Sequence, residues 1–295
     1  MMTDVINIFL SGIFNASTLF LVAAGLQVVF GVQKIFNLAC GSFYALGAYV
    51  GVSFVKISYG MGIPPVLSLI PLLVAGLSLF FVGPIIERGL LRFVYDRDDH
   101  FQLILTFGVV LMMEDIIKFT WGTAPQLTAG VYSAYGQIDI FGVQLPVYNL
   151  IVIFSSLIIA GLIGYMLVRT KFGKIIRAAA ENRNMSEALG INMQLVYMKV
   201  FTLGTVLGTV GGALVIPATA AMTEIAVELV VIAFAVVVIG GLGSMKGAFF
   251  GAMIVGILRS IAISVYPELE LLLIYLVVIG VLIFKPEGLF GGSKT

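Results

Sequence analysis

Charged residues are scarce in this sequence. They make up 11% of its 295 residues, whereas hydrophobic residues make up 60%, and the mean hydropathy is +1.14. Soluble domains contain about 25% charged and roughly 45–50% apolar residues. A water-soluble globular protein of this composition would lack the charge needed to cover its surface. The composition therefore predicts a membrane protein, in which the structural unit is a helical span of about 20 apolar residues.

Reactive side chains are equally scarce. Cys40 is the only cysteine and His100 the only histidine, so an intrachain disulfide and a thiolate metal cluster are excluded. Histidine-based nucleophilic or metal chemistry would depend on His100 alone, which leaves only a carboxylate site for a membrane enzyme. The net charge of +1 gives no indication of a nucleic-acid partner.

Long apolar runs recur between short polar breaks. Backbone groups in lipid must be hydrogen-bonded internally, and the runs are too long and too uniformly apolar for barrel strands. We therefore expect an all-α, polytopic bundle of eight or nine spans in a single domain, residues 1–295. The runs cover residues 5–31, 36–55, 63–86, 101–120, 147–168, 197–218, 225–239, 247–265 and 271–284.

The basic residues predict how the chain crosses the membrane. Of the 16 Lys and Arg residues, 13 lie in or beside every second break and the C-terminus, so the positive-inside rule places that side in the cytoplasm. The C-terminus is then inside and the N-terminus outside. Residues 1–4 lack the positive region of a signal peptide, so we expect the first run to be a retained span.

Two polar segments lie between the runs. The outer segment, residues 121–146, has no Lys or Arg, and its apolar residues alternate on both sides of Phe141-Gly142, which predicts a hairpin. It would serve either as a lid over helix ends or as a docking surface for an external partner. The inner segment, residues 169–194, is the longest strongly charged stretch on the inner side.

The inner segment predicts two short helices parallel to the membrane. Asn184 and Ser186 are candidate caps for the second helix, and Gly190 is placed to end it. The segment is either an interfacial amphipathic structure or a docking element for a cytoplasmic protein. The first helix would carry an apolar stripe of Ile175, Ile176, Ala179 and Ala180.

Some polar residues interrupt the apolar runs. At the start of the second span, Asn37, Cys40, Gly41 and Ser42 would form a polar notch toward a pore, although Asn37 is equally suited to capping a helix and Cys40 to packing. We interpret Arg259, with Ser260 and Ser264, as a residue that extends to the outer interface.

Glu114 and Asp115 lie within the run 101–120. Acids inside a membrane are functional candidates, so Glu114 is either a residue of the substrate pathway or the local partner of Lys118, four residues along. These acids also keep an alternative open, in which the chain is a self-sufficient, ion-coupled secondary transporter or channel.

Glycines follow the short run 225–239. The stretch Gly240, Gly241, Leu242, Gly243, Ser244 predicts a discontinuous or re-entrant segment that packs helices closely or lines a substrate path with free backbone groups. The overlapping stretch Gly241-Leu242-Gly243-Ser244-Met245-Lys246-Gly247 superficially resembles a phosphate-binding loop, but a membrane span precedes it where such a loop needs a strand, so we reject nucleotide binding.

Several stretches resemble the LivH-like permease subunits of the ABC importers for branched-chain amino acids. The likeness covers nearly the whole chain in the same order. It is carried by Phe30-Gly31-Val32 with Asn37-Leu38-Ala39-Cys40-Gly41, by Arg177-Ala178-Ala179-Ala180-Glu181-Asn182 with Ala188-Leu189-Gly190-Ile191-Asn192, by Val238-Ile239-Gly240-Gly241-Leu242-Gly243-Ser244-Met245-Lys246-Gly247, and by Lys285-Pro286-Glu287-Gly288-Leu289-Phe290-Gly291.

This resemblance implies a transport subunit that is not itself an enzyme, in a bacterial or archaeal cytoplasmic membrane. It implies a second permease subunit (LivM-like, or another copy of this chain), two cytoplasmic ATPases and an external substrate-binding protein. ATP would be bound by those ATPases, with no cofactor on this chain. The residues Arg177, Glu181, Ala188 and Gly190 would lie on the segment that couples to the ATPases.

The chain departs from the family pattern at one place. The family usually has His-Gly and an acidic residue where this chain has Cys40-Gly41-Ser42, which replaces a charge and a ring nitrogen with a thiol and a hydroxyl. The implied substrate is therefore a branched-chain amino acid or a related small polar solute.

Overall fold

A computed structural model of the chain describes residues 2–95, 97–128, 130–140 and 143–291. Nearly all of this part is helical, and two short strands form a hairpin. The helices are α1 (Met2–Gln33), α2 (Cys40–Gly60), α3 (Leu69–Ser78), α4 (Val82–Gly89), α5 (Asp99–Trp121), α6 (Val131–Ala134), α7 (Val147–Arg169), α8 (Lys171–Glu181), α9 (Arg183–Ala188), α10 (Met193–Val215), α11 (Ile225–Gly240), α12 (Met245–Val265) and α13 (Glu270–Phe284).

Four long helices, α1, α2, α10 and α12, form the centre of the bundle. Small residues allow their backbones to approach closely: a Cβ atom added to Gly212 of α10 would lie 1.9 Å from the carbonyl oxygen of Tyr44 on α2. Such contacts replace the hydrophobic driving force that is missing between helices in lipid. Between these backbones the core contains fully buried aromatic side chains such as Tyr49 and Phe201.

Each predicted apolar run forms helix. In the described part of the chain, seven helical stretches are long and apolar enough to cross a membrane. The run 225–239 forms the shorter α11, and the run 101–120 forms α5, which carries several charges. The helical bundle is therefore confirmed, and the count of eight or nine spans stays a prediction. The run 63–86 is divided into α3 and α4 by a 3-10 turn at Leu79–Phe81.

The outer segment forms the predicted hairpin. Strand β1 (Gln137–Ile140) pairs antiparallel with β2 (Val143–Pro146), with Ile138 opposite Leu145. The expected turn residues, Phe141 and Gly142, lie outside the described residues. We call the end of the bundle that carries this segment the hairpin end.

Gln126 of the outer segment is bonded to the connection between α10 and α11. Its amide nitrogen lies 3.0 Å from the carbonyl oxygen of Ala221, and the reciprocal distance is 2.9 Å. The Nζ atom of Lys56 on α2 also donates to the side-chain oxygen of Gln126 at 2.7 Å. The connection 216–224 is thereby tied to the hairpin end.

The inner segment forms the two predicted short helices, α8 and α9, at the opposite end of the bundle, which we call the coupling end. The side chain of Asn182 accepts a hydrogen bond from the Met185 amide at 3.0 Å and so caps α9. The prediction of Asn184 or Ser186 as the cap is wrong, because both residues lie inside the helix, whereas a cap must have extended backbone geometry. Gly190 ends the turn with a φ of 82°, as predicted.

Candidate functional site

A cavity of about 360 Å³ lies between α1, α2, α11, α12 and the connection 216–224. Its volume is within the range of small-molecule sites. Its apolar lining residues include Phe14, Leu19, Ile225, Leu229 and Ile263. Its polar lining residues include Asn15, Thr18, Tyr44, Glu224, Glu228 and Arg259.

Arg259 of α12 forms ion pairs with acids of two other helices. Its Nη2 atom lies 2.9 Å from Oε1 of Glu228 on α11, and its Nε atom contacts Oε1 of Glu270 on α13. Its side chain is 22% exposed. The two carboxylates hold the guanidinium against the bundle, because a poorly solvated charge needs a partner. That Arg259 extends to the outer interface stays a prediction.

The two acids differ in their exposure. The Glu270 side chain is 18% exposed, whereas that of Glu228 is 48% exposed and lines the cavity together with Glu224. Charged side chains in otherwise apolar helices are costly in lipid and usually face a water-filled cavity or another protein. The cavity therefore combines charges of both signs with helices that are otherwise apolar, which makes it a candidate solute site.

The break between α11 and α12 is fixed by a single side chain of α1. The buried Gln27 donates to the carbonyl oxygen of Gly241 at 2.8 Å and accepts from the amide of Gly243 at 2.6 Å. Two backbone groups that the break frees from helical bonding thus have partners within the protein. A turn at residues 241–244 separates α11 from α12, and Ser244 caps α12 by accepting from the Gly247 amide at 3.1 Å. A discontinuous or re-entrant span here stays a prediction.

The glycines of this break are closely packed. A Cβ atom on Gly240 would lie 2.1 Å from the carbonyl oxygen of Gly247, and one on Gly241 would meet the backbone of Gly291 at 2.4 Å. The C-terminal stretch packs beside the break, where the Leu289 amide donates to the carbonyl oxygen of Ile239 at 2.8 Å. Gly243 has more space but a φ of 81°. A pathway role for Gly240, Gly241, Gly243 and Ser244 stays a prediction.

The predicted notch residues lie at the start of α2. Asn37 is buried, and its side chain accepts from the amide of Ala39 at 3.1 Å. Cys40 and Ser42 are buried, and Gly41 packs on α11, where an added Cβ would lie 2.1 Å from the Ala226 oxygen. The helix face that reaches the cavity carries Tyr44 instead. A role for the four notch residues in the pathway stays a prediction.

Glu114 forms an ion pair within its own helix. Its Oε1 atom lies 2.6 Å from Nζ of Lys118, and the Glu114 side chain is 19% exposed. The local pair, one of the two interpretations of Glu114, is therefore present. Glu114 does not appear in the cavity lining.

The coupling end presents an exposed surface on α8 and α9. The predicted apolar stripe packs inward, with Ile176 and Ala179 buried. Met185 and Leu189, 59% and 73% exposed, add apolar side chains to this surface. The candidate coupling residues all face outward: Arg177, Glu181, Ala188 and Gly190.

Comparison with known proteins identifies the family. A family model described as branched-chain amino acid transport system / permease component matches residues 8–282. The chain belongs to this family. It is 23% identical to the branched-chain amino acid permease BraD of Pseudomonas aeruginosa and 26% identical to LivH of Escherichia coli K12, in each case over 97% of this chain and 95% of the relative. It is also 25% identical to the ribose import permease RbsC of Haemophilus influenzae, over 81% of this chain and 72% of that protein.

The structure brings together permease residues that sequence reasoning did not connect. Glu228, Tyr44 and Gln27 were not candidates, and Arg259 was assigned to an interface. Opposite charges within two apolar runs, at Glu228 and Arg259, were the signal available in the sequence. The interaction of Gln27 with the break had no local signal, because its partners lie more than 210 positions away.

Proposed function

We propose that this permease is the membrane-spanning subunit of an ATP-driven importer of branched-chain amino acids or a related small polar solute. The observation that carries the proposal is the family match over residues 8–282. The mixed-charge cavity supports it, since an amino acid has two charged groups and this lining offers charges of both signs.

Transport in this proposal depends on partners. Two cytoplasmic ATPases bind ATP and dock on α8 and α9, and the exposed Leu189 and Met185 give them an apolar contact beside the charges of Arg177 and Glu181. An external binding protein delivers the solute at the hairpin end. A second permease, LivM-like or identical, completes the path. The C-terminus is cytoplasmic.

Within the permease, the cavity lies near the hairpin end and the α11–α12 break lies deeper in the bundle. The solute passes from the cavity past Gly243 when the ATPases change state. Nothing on this chain needs to form a covalent bond. Coupling requires only that the solute binds the outward and inward states with different affinity.

Uptake by reconstituted complexes tests the proposal. The chain is purified with the second permease and ATPases encoded beside its gene, placed in liposomes with the binding protein, and supplied with labelled leucine and ATP. We expect uptake that needs ATP. Uptake by this chain alone, driven by an ion gradient, would contradict the proposal and support a secondary transporter.

A matched pair of variants tests the docking surface in the same assay. Leu189→Ser at the coupling end should weaken ATPase binding and uptake together. Met61→Ser removes an equally exposed apolar side chain, 73% exposed, from the connection after α2 at the hairpin end, and should leave ATPase binding intact. Equal effects of the two variants would contradict docking on α9.

A further inference from the structure

We propose that the cavity between α1, α2, α11 and α12 holds a zwitterionic α-amino acid with an apolar side chain. Arg259 binds its carboxylate and Glu228 binds its ammonium group. This inference rests on the proposed function, and it adds the site in this chain and the chemical groups that are recognised there.

The asymmetry of the ion pairs makes one of them exchangeable. Glu270 is largely shielded and lies outside the cavity lining, so it holds the guanidinium in place through Nε. Glu228 is about half exposed and contacts the guanidinium at Nη2. A solute carboxylate can replace Glu228 there, because the planar guanidinium retains donors in fixed directions while Glu270 orients it.

The displaced acid then has a new partner. Glu228 and Glu224 both line the cavity. The ammonium group of the solute can therefore bind these acids while the carboxylate of the solute binds Arg259. The exchange replaces the Arg259–Glu228 pair with two ion pairs to the solute and adds no net charge. A solute with only a carboxylate would face repulsion from two acids, and a solute with only an ammonium group would have to compete with Arg259 for Glu228.

The cavity also has apolar side chains that suit an aliphatic group. Leu19, Leu229 and Ile263 belong to the same lining as the charged residues, so a branched aliphatic group would lose contact with water against them. Binding sites commonly combine such apolar residues with a few polar groups that fix orientation. Head group and side chain are thus recognised by different residues of one cavity.

Protection of an introduced thiol tests the site directly. Met222 lines the cavity and is 50% exposed, so Met222→Cys in a Cys40→Ala background places a thiol reporter there; Met61→Cys is the control reporter outside it. Labelling is measured on the full complex without binding protein, so that the binding protein cannot supply the selectivity. The ligands are L-leucine, leucinamide, which lacks the carboxylate, and N-acetyl-leucine, which lacks the ammonium group.

We expect L-leucine, and neither analogue, to protect the thiol of the Met222→Cys variant, and none of the three to protect that of Met61→Cys. At about ten times its Kd, leucine should slow labelling about tenfold, since the site is then occupied about nine-tenths of the time. Protection by all three ligands, by none, or by leucinamide as well as leucine would overturn the proposed recognition.

Charge variants separate recognition from folding. Glu228→Gln and Arg259→Gln should each abolish protection by leucine, whereas Glu268→Gln, an exposed acid between α12 and α13, should preserve it. The result for Arg259→Gln counts only if that variant assembles into the complex. If it does not assemble, Glu228→Gln provides the decisive result, since the Glu228 side chain is about half exposed. Retained protection in Glu228→Gln would contradict the inference.

The uptake assay distinguishes a failure of the proposed site from a failure of the proposed function. A complex that imports leucine with ATP but shows no leucine protection at Met222→Cys keeps the proposed function and refutes this site. A complex that imports another small polar solute with ATP but no amino acid also keeps the proposed function and refutes this site, and a complex that imports no solute with ATP refutes both.

Discussion

Gln27 and Gly243 are joined by a hydrogen bond of 2.6 Å although they lie 216 positions apart in the sequence. The same side chain binds the carbonyl oxygen of Gly241 at 2.8 Å. A single amide of α1 therefore holds both sides of the break between α11 and α12. Because the side chain is buried, water cannot replace it if it is removed.

Gln27→Leu should destabilise the permease strongly. It leaves the Gly243 amide without its partner, at about 1–3 kcal/mol, and removes one of the two hydrogen bonds to the Gly241 oxygen, which keeps the Ser244 amide at 3.3 Å. Gln33→Leu is the matched control, because this substitution on the same helix removes only the bond to the Tyr197 oxygen. Thermal unfolding of the purified complex measures both. A larger loss of stability in Gln33→Leu than in Gln27→Leu would show that the break does not depend on Gln27.

Gly247→Ala should reduce the yield of folded permease. The added Cβ atom would lie 2.2 Å from the carbonyl oxygen of Gly240, so the two helices must move apart, at a cost of about 1–3 kcal/mol. Gly161→Ala on α7 has nothing within 4 Å and should be neutral or stabilising. The recovery of monodisperse protein after heating in detergent compares them, and equal recovery would argue against tight packing at the break.

Asn182→Ala should weaken ATPase docking. Loss of the cap costs about 1 kcal/mol of α9 stability, and this lowers affinity about fivefold if the ATPase binds only folded α9. Asn184→Ala removes the neighbouring exposed Asn inside the helix and should leave affinity near that of the unmodified chain. Titration of the ATPase onto the immobilised permease measures both. Identical affinities would mean that capping at Asn182 does not matter for docking.

Glu114→Gln should retain leucine uptake. Its carboxylate is bonded to Lys118 one turn along the same helix, and a partly exposed local pair contributes little to stability. Initial rates in the reconstituted complex provide the measurement, with Glu228→Gln expected to lose uptake in parallel. Loss of uptake in Glu114→Gln would instead favour its predicted role in the substrate pathway.

The sequence predicts most of the architecture because the relevant signals are local. Apolar runs must become helices in lipid, alternation around Phe141-Gly142 predicts the hairpin, and the glycines after Ile239 predict the break. The paired helices of residues 169–194 follow from an apolar stripe and from Gly190. The cap of α9 was misplaced by two residues, since several Asn and Ser residues compete within one turn.

The cavity was less predictable because its parts come from distant segments. Arg259 has no acid at helical spacing on α12, so its partners Glu228 and Glu270 become visible only when α11, α12 and α13 are packed together. Similarly, polar residues at the start of α2 gave a strong local signal, yet it is Tyr44, one turn further, that reaches the cavity. Local patterns identify helices, whereas the site depends on which helix faces meet.

The two hydrogen bonds between Gln126 and Ala221 have a mechanical consequence. Ala221 is adjacent to Met222 in the cavity wall, and Gln126 belongs to the segment that the permease presents at its hairpin end. A load on that segment would therefore act, through two backbone hydrogen bonds, on the connection that lines the cavity.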